Sequence, residues 1–352
     1  MKNIPFYRHD LGELEMTKVR EVLAQPILTT GDYVVEVEQK LEKMLSIQHA
    51  LCVTSCTGGL HLALMGLGIG PGDEVITTPM SFIATATAIL EAGATPIFVD
   101  VEPETGNIDP SAVEAAITPR TSAIMPVHLY GLMCDMRRLR EIADRHGLAI
   151  IEDAAHCVEG ERDGIRPGAL SNCAIFSFYA TKNLTCGEGG AIVTSDTALK
   201  DRLTLLRLHG MTKTAADRAR EGYTHWDMVL MGWKYNMSNI EAAFLLPQFD
   251  RGNSSFINPE CLFRAYDKGF SFIEVPIPFI PRTDGEAKGT RIKSILRSMG
   301  DIFLNWLRWG WKIRFFKHDR NQKHRQIYRV AEPFYLSDDV LRLIVTLFRD
   351  YR

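Results

Sequence analysis

The stretch 151–190, IEDAAHCVEGERDGIRPGALSNCAIFSFYATKNLTCGEGG, decides the fold. An apolar run from Leu148 to Ile151 ends on two acids, Glu152 and Asp153, as a buried strand does when it reaches the edge of its sheet. A second apolar run, Ala174 to Phe178, carries a hydroxyl at Ser177 and is followed by Lys182. An acid at one strand end and a lysine near another converge at the carboxyl edge of a parallel sheet. That edge is where open α/β folds keep their ligands. Thr185, Gly187, Gly189 and Gly190 are small and leave room beside Lys182, which suits a lysine that forms a Schiff base.

Working outward, strand and helix patterns alternate. Leu11, Leu14, Val19, Val22 and Leu23 fall at helical spacing, and 33–46 repeat that pattern. LCVTS (51–55) reads as a strand, and Thr57-Gly58-Gly59 opens a helix to about Leu67. Free amides at such a helix start form a seat for a phosphate. A turn and strand follow at 68–78; Ser81 is expected to cap a helix to about Ala92, and TPIFVDV (95–101) is the next strand. Asp109 and Pro110 start a short helix, SAIMPVHLY (122–130) reads as a strand, and 135–146 as an amphipathic helix. This alternation predicts an α/β fold with a mostly parallel sheet and helices on both faces. Residues 212–227 read as a charged surface loop, and Ser238 as the N-cap of a further helix.

Composition narrows the function. With 40 basic and 43 acidic side chains among 352 residues, charge is near balance, which argues against a nucleic-acid partner. No spanning helix and no signal peptide are read. The seven cysteines are scattered and mostly within apolar segments. They read as reduced thiols of a cytoplasmic protein, with neither a disulfide frame nor a zinc site.

DAAH (153–156), SFYATKN (177–183) and GEGGAIVTSD (187–196) resemble the DegT/DnrJ/EryC1/StrS sugar aminotransferases. The likeness runs from about Pro5 to about Gln248. Within the family, GIGPGDEVIT, AAITPRTSAI and GWKYNMSNIEAA are most similar to the branch that makes UDP-4-amino-4-deoxy-arabinose for lipid A. The resemblance implies a fold type I large domain over 1–249, with pyridoxal 5′-phosphate as cofactor. It also implies transfer of an amino group from an amino acid, glutamate as the expected donor, to a nucleotide-linked keto-sugar. The setting would be cell-surface polysaccharide or lipopolysaccharide biosynthesis, and the enzyme a homodimer with shared active sites.

Carried onto this sequence, the resemblance makes Lys182 the residue that binds the cofactor's aldehyde and, once released, moves the proton between the substrate carbon and C4′. Alone, Lys182 reads as a solvated surface lysine. Asp153 would keep the pyridine nitrogen protonated; its plain reading is a strand-end acid capping a loop. His156 would face the ring or its phenolic oxygen, and equally fits a structural histidine. Phe82 matches the aromatic that stacks on the ring, although a Phe on an apolar helix is usually core. Thr57 and the amide of Gly58 would hold one side of the phosphate and Ser177 the other. Lys234 and Asn236 match residues that the neighbouring subunit contributes; read alone, Lys234 is solvated.

From about 250 the sequence changes character. INPE (257–260), EVPIPF (274–279) and the spacing of Arg282, Gly285 and Lys288 resemble the C-terminal part of family 2 glycosyltransferases, over about 252–320. The donor-binding half of such an enzyme and the aminotransferase family's small domain are both missing from this reading. The expected second region is therefore an atypical α+β tail at 250–352, with EVPIPF as a strand and helices near 290–316 and 337–350. The segment 302–317, IFLNWLRWGWKIRFFK, fits a helix lying in a membrane interface as well as one packed on protein. Against the transaminase stand two alternatives: an inactive or partly active fusion product that binds cofactor, and a membrane-associated glycosyltransferase-derived module. A dehydratase of the same family, in which histidine replaces the lysine, is disfavoured by Lys182.

Overall fold

The computed structural model describes residues 7, 9–221 and 225–249. Two helices, α1 (Glu13–Leu23) and α2 (Asp32–Leu45), lead the chain. Then β1 (His49–Val53), α3 (Cys56–Leu67), β2 (Glu74–Thr77), α4 (Ile83–Glu91) and β3 (Thr95–Phe98) alternate, continued by α5 (Pro110–Ala115), β4 (Thr121–Ile124), α6 (Met136–His146) and β5 (Ala149–Asp153). β6 (Cys173–Ser177) and β7 (Gly190–Thr194) follow with no helix between them, and α7 (Thr197–Leu206), α8 (Ala215–Glu221) and α9 (Asn239–Phe249) complete the order.

The strands form one sheet in the order β1-β7-β6-β5-β4-β2-β3. β6, β5, β4, β2 and β3 pair in parallel, while β7 is antiparallel to both β1 and β6. A parallel return needs a crossover, usually a helix, and the β6–β7 loop has none, so the chain turns straight back. The mostly parallel sheet expected from the sequence is thus present.

Both faces of the sheet are covered, which is why its strands read as continuous apolar runs. Ile150 and Phe176 join a core with Val34, Leu41, Leu139 and Leu245 on one face. Ile151 and Ile175 join Leu60, Leu64, Ile89 and Leu203 on the other. The alternation continues to the end of β5, so Glu152 and Asp153 point to opposite faces.

Four local expectations change. The strand expected over 122–130 ends at Ile124: Pro126 has no N–H for the ladder, and Val127 keeps only an isolated bridge to Asp153. A 3₁₀ turn, Leu129–Gly131, occupies the remainder. Ser81 does not cap α4, whose N-cap position is Phe82; the Ser81 hydroxyl lies 2.6 Å from that of Thr85 instead. The strand at 95–101 stops at Phe98, on the edge of the sheet. The presumed loop 212–227 contains α8, whose start is closed by Thr214 and Asp217: each backbone N–H donates to the other's side chain, at 2.9 and 3.1 Å. That reciprocal pairing is a capping box, and the helix it opens, AADRARE, is mostly charged or small, which is why no apolar period announced it. The cap expected at Ser238 is present: its N–H donates to Glu241 at 2.7 Å, and Glu241 N–H donates back at 3.3 Å. Such a pairing contributes about 1 kcal/mol.

Six cysteines are free and buried, and the described residues contain no group of side chains able to hold a metal ion. No helix among them is long and apolar enough to cross a membrane. The expected tail at 250–352, with its strand, its helices and the segment 302–317, lies outside the described residues.

Candidate active site

β5 delivers Asp153 to the face of the sheet that α3 and α4 cover, where it is buried. Its backbone is pinned on both sides. Its N–H donates to the Pro126 carbonyl at 2.9 Å, and its own carbonyl accepts from His128 N–H at 3.0 Å. The carboxylate accepts the Thr85 hydroxyl at 2.7 Å and the Ala155 N–H at 3.2 Å. Thr85 is itself buried, and because its proton goes to Asp153 it accepts from Ser81. Ser81, Thr85 and Asp153 therefore form one directed chain of hydrogen bonds. The sequence reading missed Thr85. Its available signal was position, three residues beyond Phe82 in the first turn of α4.

The next residue, Glu152, meets the opposite side of the sheet, fully buried. Its carboxylate holds His128 Nε2 at 2.6 Å, the Gly168 N–H at 2.8 Å and the Ser171 hydroxyl at 2.5 Å. His128 Nδ1 accepts from Cys134 N–H at 3.2 Å. This network anchors the loops on either side of β5 and so fixes the strand end that carries Asp153.

β6 ends at Ser177, whose hydroxyl accepts from Tyr179 N–H at 3.3 Å. The loop beyond it is tied down by α9, where Gln248 exchanges two hydrogen bonds with the backbone of Thr185, at 3.1 and 2.7 Å. Gly187 in this loop takes φ 89°, a backbone that disfavours side chains. Within the loop Lys182 is half-buried. Burial lowers its pKa, while the nearby thiol of Cys56 and carboxylate of Asp153 pull it upward less strongly. His156 is also half-buried, and its pKa is lowered by burial first and by the Lys182 charge second. Cys56 lies 4.0 Å from Asp153, and burial raises its pKa well above the thiol range. His156 and Cys56 thus each lie within electrostatic reach of both Lys182 and Asp153. Cys56 was not anticipated; as one apolar-segment thiol among seven it carried no distinguishing signal.

At the start of α3 the expectation needs correction. The Gly58 amide, expected as a phosphate donor, is already given to the Ser55 hydroxyl at 3.0 Å, because Ser55 is the N-cap of the helix. Thr57 remains partly exposed at that helix start. Gly190 packs so closely here that a Cβ would lie 2.7 Å from the Cys56 nitrogen and the Phe176 oxygen. Phe82 is 77% exposed, so the core reading does not hold for it in this chain.

Lys234 and Asn236 are not brought into this group. Lys234 Nζ donates to Asn236, Asn236 donates to the Thr30 hydroxyl at 2.6 Å, and Thr30 donates to the Met237 carbonyl at 2.7 Å. Both line a separate cavity of about 230 Å³ with Thr30, His209 and Arg218.

One further aromatic borders the site. Tyr130, in the 3₁₀ turn, is 86% exposed and stands in the left-handed region at φ 51°, which costs a bulky residue about 1–3 kcal/mol. Its ring stacks on His156, with centroids 5.7 Å apart and planes 3° from parallel.

Residues 9–298 match the model of the DegT/DnrJ/EryC1/StrS aminotransferase family. The chain belongs to this family. The match runs past Gln248, where the motif-based likeness was expected to stop. Among curated relatives, the spore coat polysaccharide biosynthesis protein SpsC of Bacillus subtilis (strain 168) is 43% identical over 249 residues. That alignment covers 70% of this chain and 64% of SpsC, so the chain spans under two thirds of that relative's length. Among solved structures, Spr1654 of Streptococcus pneumoniae, described as a sugar aminotransferase and seen in its PMP-form, superposes with TM-score 0.69 at 33% identity, covering 76% of this chain and 73% of its own. Helicobacter pylori PseC, an aminotransferase involved in pseudoaminic acid biosynthesis, gives TM-score 0.66 at 32% identity, covering 71% and 66%. The sheet described above is the fold type I architecture of the DegT/DnrJ/EryC1/StrS aminotransferases.

Proposed function

We propose that this chain is a pyridoxal-phosphate-dependent aminotransferase that moves an amino group from an amino acid, glutamate in the first instance, to a nucleotide-linked keto-sugar for cell-surface polysaccharide synthesis. The observation that carries the reading is a half-buried lysine of lowered pKa within electrostatic reach of a buried strand-end carboxylate. The names of SpsC and PseC support the polysaccharide and sugar parts.

The residues present fit the cofactor. Lys182 offers a desolvated amine for its aldehyde, Asp153 a fixed negative charge for its ring nitrogen, and Thr57 and Ser177 hydroxyls for its phosphate. Phe82 and His156 would flank the ring. Lys234 and Asn236, bonded to each other and to Thr30 beside a separate cavity, would serve a second copy, which makes a homodimer with shared sites part of the proposal. When bound, pyridoxal phosphate supplies an electron sink for the charge that develops on the amine-bearing carbon. Lys182 would hold the cofactor's aldehyde and, once displaced by the substrate amine, would be placed to move a proton between the substrate carbon and C4′. Asp153, held by Thr85, would keep the ring nitrogen protonated. The cytoplasm, where nucleotide sugars and free amino acids meet, is the proposed site of action.

Absorbance of the purified full chain, before and after glutamate, tests the reading. A visible band that glutamate bleaches is expected; a colourless protein that takes up no added cofactor overturns it.

A hydrogen bond to a charged group is worth about 1.5–3 kcal/mol. Thr85→Val, which leaves Asp153 without its buried donor, is therefore expected to slow the glutamate half-reaction roughly tenfold or more, and Thr85→Ser to restore it. Single-turnover spectroscopy reads both.

The division into a large domain, 1–249, and a C-terminal region, 250–352, belongs to the same proposal. Limited proteolysis is expected to cut between 250 and 259. Resistance there, with one cooperative unfolding transition, would count against the division.

A further inference from the structure

We propose that Tyr130 is a positioning residue, whose ring, presented by a strained turn, sets the plane of the His156 imidazole beside Asp153 and Lys182. The inference rests on the reading of His156 as a site residue and adds to it the group that orients it.

The turn is built to hold an unfavourable backbone. Asn107, itself buried, clamps both ends: its Oδ1 accepts from Leu129 N–H at 3.1 Å, and its Nδ2 donates to the Leu132 carbonyl at 2.9 Å. His128, at the entrance, is fixed between Glu152 and the Cys134 amide. The Cys157 thiol reaches the Gly131 carbonyl at 3.3 Å, and a Cβ at Gly131 would lie 3.0 Å from the His156 carbonyl. A bulky residue stays in the left-handed region only where its surroundings over-determine it, and here four separate attachments do so. Nothing in the core requires the strain, because Tyr130 is mostly exposed. What the conformation achieves is the stack, whose offset parallel geometry lies in the favourable range for aromatic pairs.

Lys182 from the β6–β7 loop and Asp153 from β5 are the ionisable groups that bear on His156. Both remain when the Tyr130 ring is removed, whereas the cover it provides does not. Burial is the leading cause of the lowered His156 pKa, so uncovering the ring moves its titration upward, toward that of free imidazole.

The test uses the full-length protein without added cofactor. Proton NMR follows the His156 imidazole resonance against pH, assigned by its disappearance in His156→Gln. Tyr130→Asn keeps a residue that tolerates the left-handed backbone and removes the ring. It is expected to raise the His156 titration midpoint and abolish the ring-current shift, while Tyr130→Phe preserves both. In cofactor-loaded protein the glutamate half-reaction is expected to fall roughly tenfold in Tyr130→Asn, and to recover in Tyr130→Phe. If Tyr130→Asn fails to fold by circular dichroism, Tyr130→Gly, free of left-handed strain, carries the same measurement. An unchanged His156 resonance in a folded ring-less variant overturns the proposal, as does a Tyr130→Phe variant that behaves like Tyr130→Asn. A wild-type protein that binds no pyridoxal phosphate defeats the functional reading alone, since the titration still decides the stack.

Discussion

Lys182→Ala is expected to abolish both covalent capture of pyridoxal phosphate and transamination. Borohydride reduction of the loaded wild-type protein followed by peptide mapping should place the adduct on Lys182, and the variant should give none there. Loss of the proton-transfer role alone costs about 10²–10⁴-fold in rate, before the loss of covalent attachment is counted. An adduct on another lysine, or normal turnover in the variant, would remove Lys182 from its assigned role. The pH dependence has a definite sign. Attack on an aldehyde needs the neutral amine, and burial lowers the Lys182 pKa. A lowered pKa moves the curve of neutral amine to lower pH. Adduct formation with Lys182 is therefore expected to persist to lower pH than with N-acetyl-lysine under the same conditions.

Asp153→Asn is the second large effect. The substitution keeps size but removes the negative charge, and removing one preorganised electrostatic partner of this kind typically costs about 10²–10³-fold in rate. The cofactor should stay bound, since Lys182 is untouched, so the expected signature is a coloured enzyme with a slow half-reaction. An internal cost accompanies it. The carboxylate accepts from Thr85 on one oxygen and from Ala155 N–H on the other, whereas an amide presents one acceptor and one donor. Either the Ala155 N–H loses its acceptor, or Thr85 must reverse its hydroxyl and compete with Ser81. Leaving one such buried group unsatisfied costs about 1–3 kcal/mol, measurable by denaturant titration. Near-normal half-reaction kinetics would show that Asp153 does another job.

The glycosyltransferase-like tail and its membrane-facing segment remain expectations, because they fall beyond the described residues. The likeness to the aminotransferase family, by contrast, extends further than the motifs indicated: the family match continues to residue 298. The quoted motifs end near Gln248 because they cluster where chemistry fixes residue types. A family can continue through positions that constrain only polarity and size.

Much of the fold was legible in the sequence because its signals are local. Apolar runs of strand length, amphipathic helices between them, a Ser-x-x-Glu cap at 238–241 and acids at a strand end each depend on neighbours a few residues apart. The same locality made Asp153 and Lys182 visible, since both follow directly from the ends of buried strands. What only the tertiary structure decided are contacts between distant positions. The hydroxyl that fixes Asp153 comes from Thr85, 68 residues earlier, and Glu152 turns to the opposite face to bind His128 and two positions of the loop that follows β5. The Gly58 amide was spent on Ser55 because the helix needed a cap before any ligand needed a donor. The Tyr130 ring lies on His156 because Asn107, 22 residues before the turn, holds one end of it. Sequence patterns report how each segment lowers its own free energy; the direction of a polar side chain depends on which partner reaches it across the sheet, and no local pattern contains that partner.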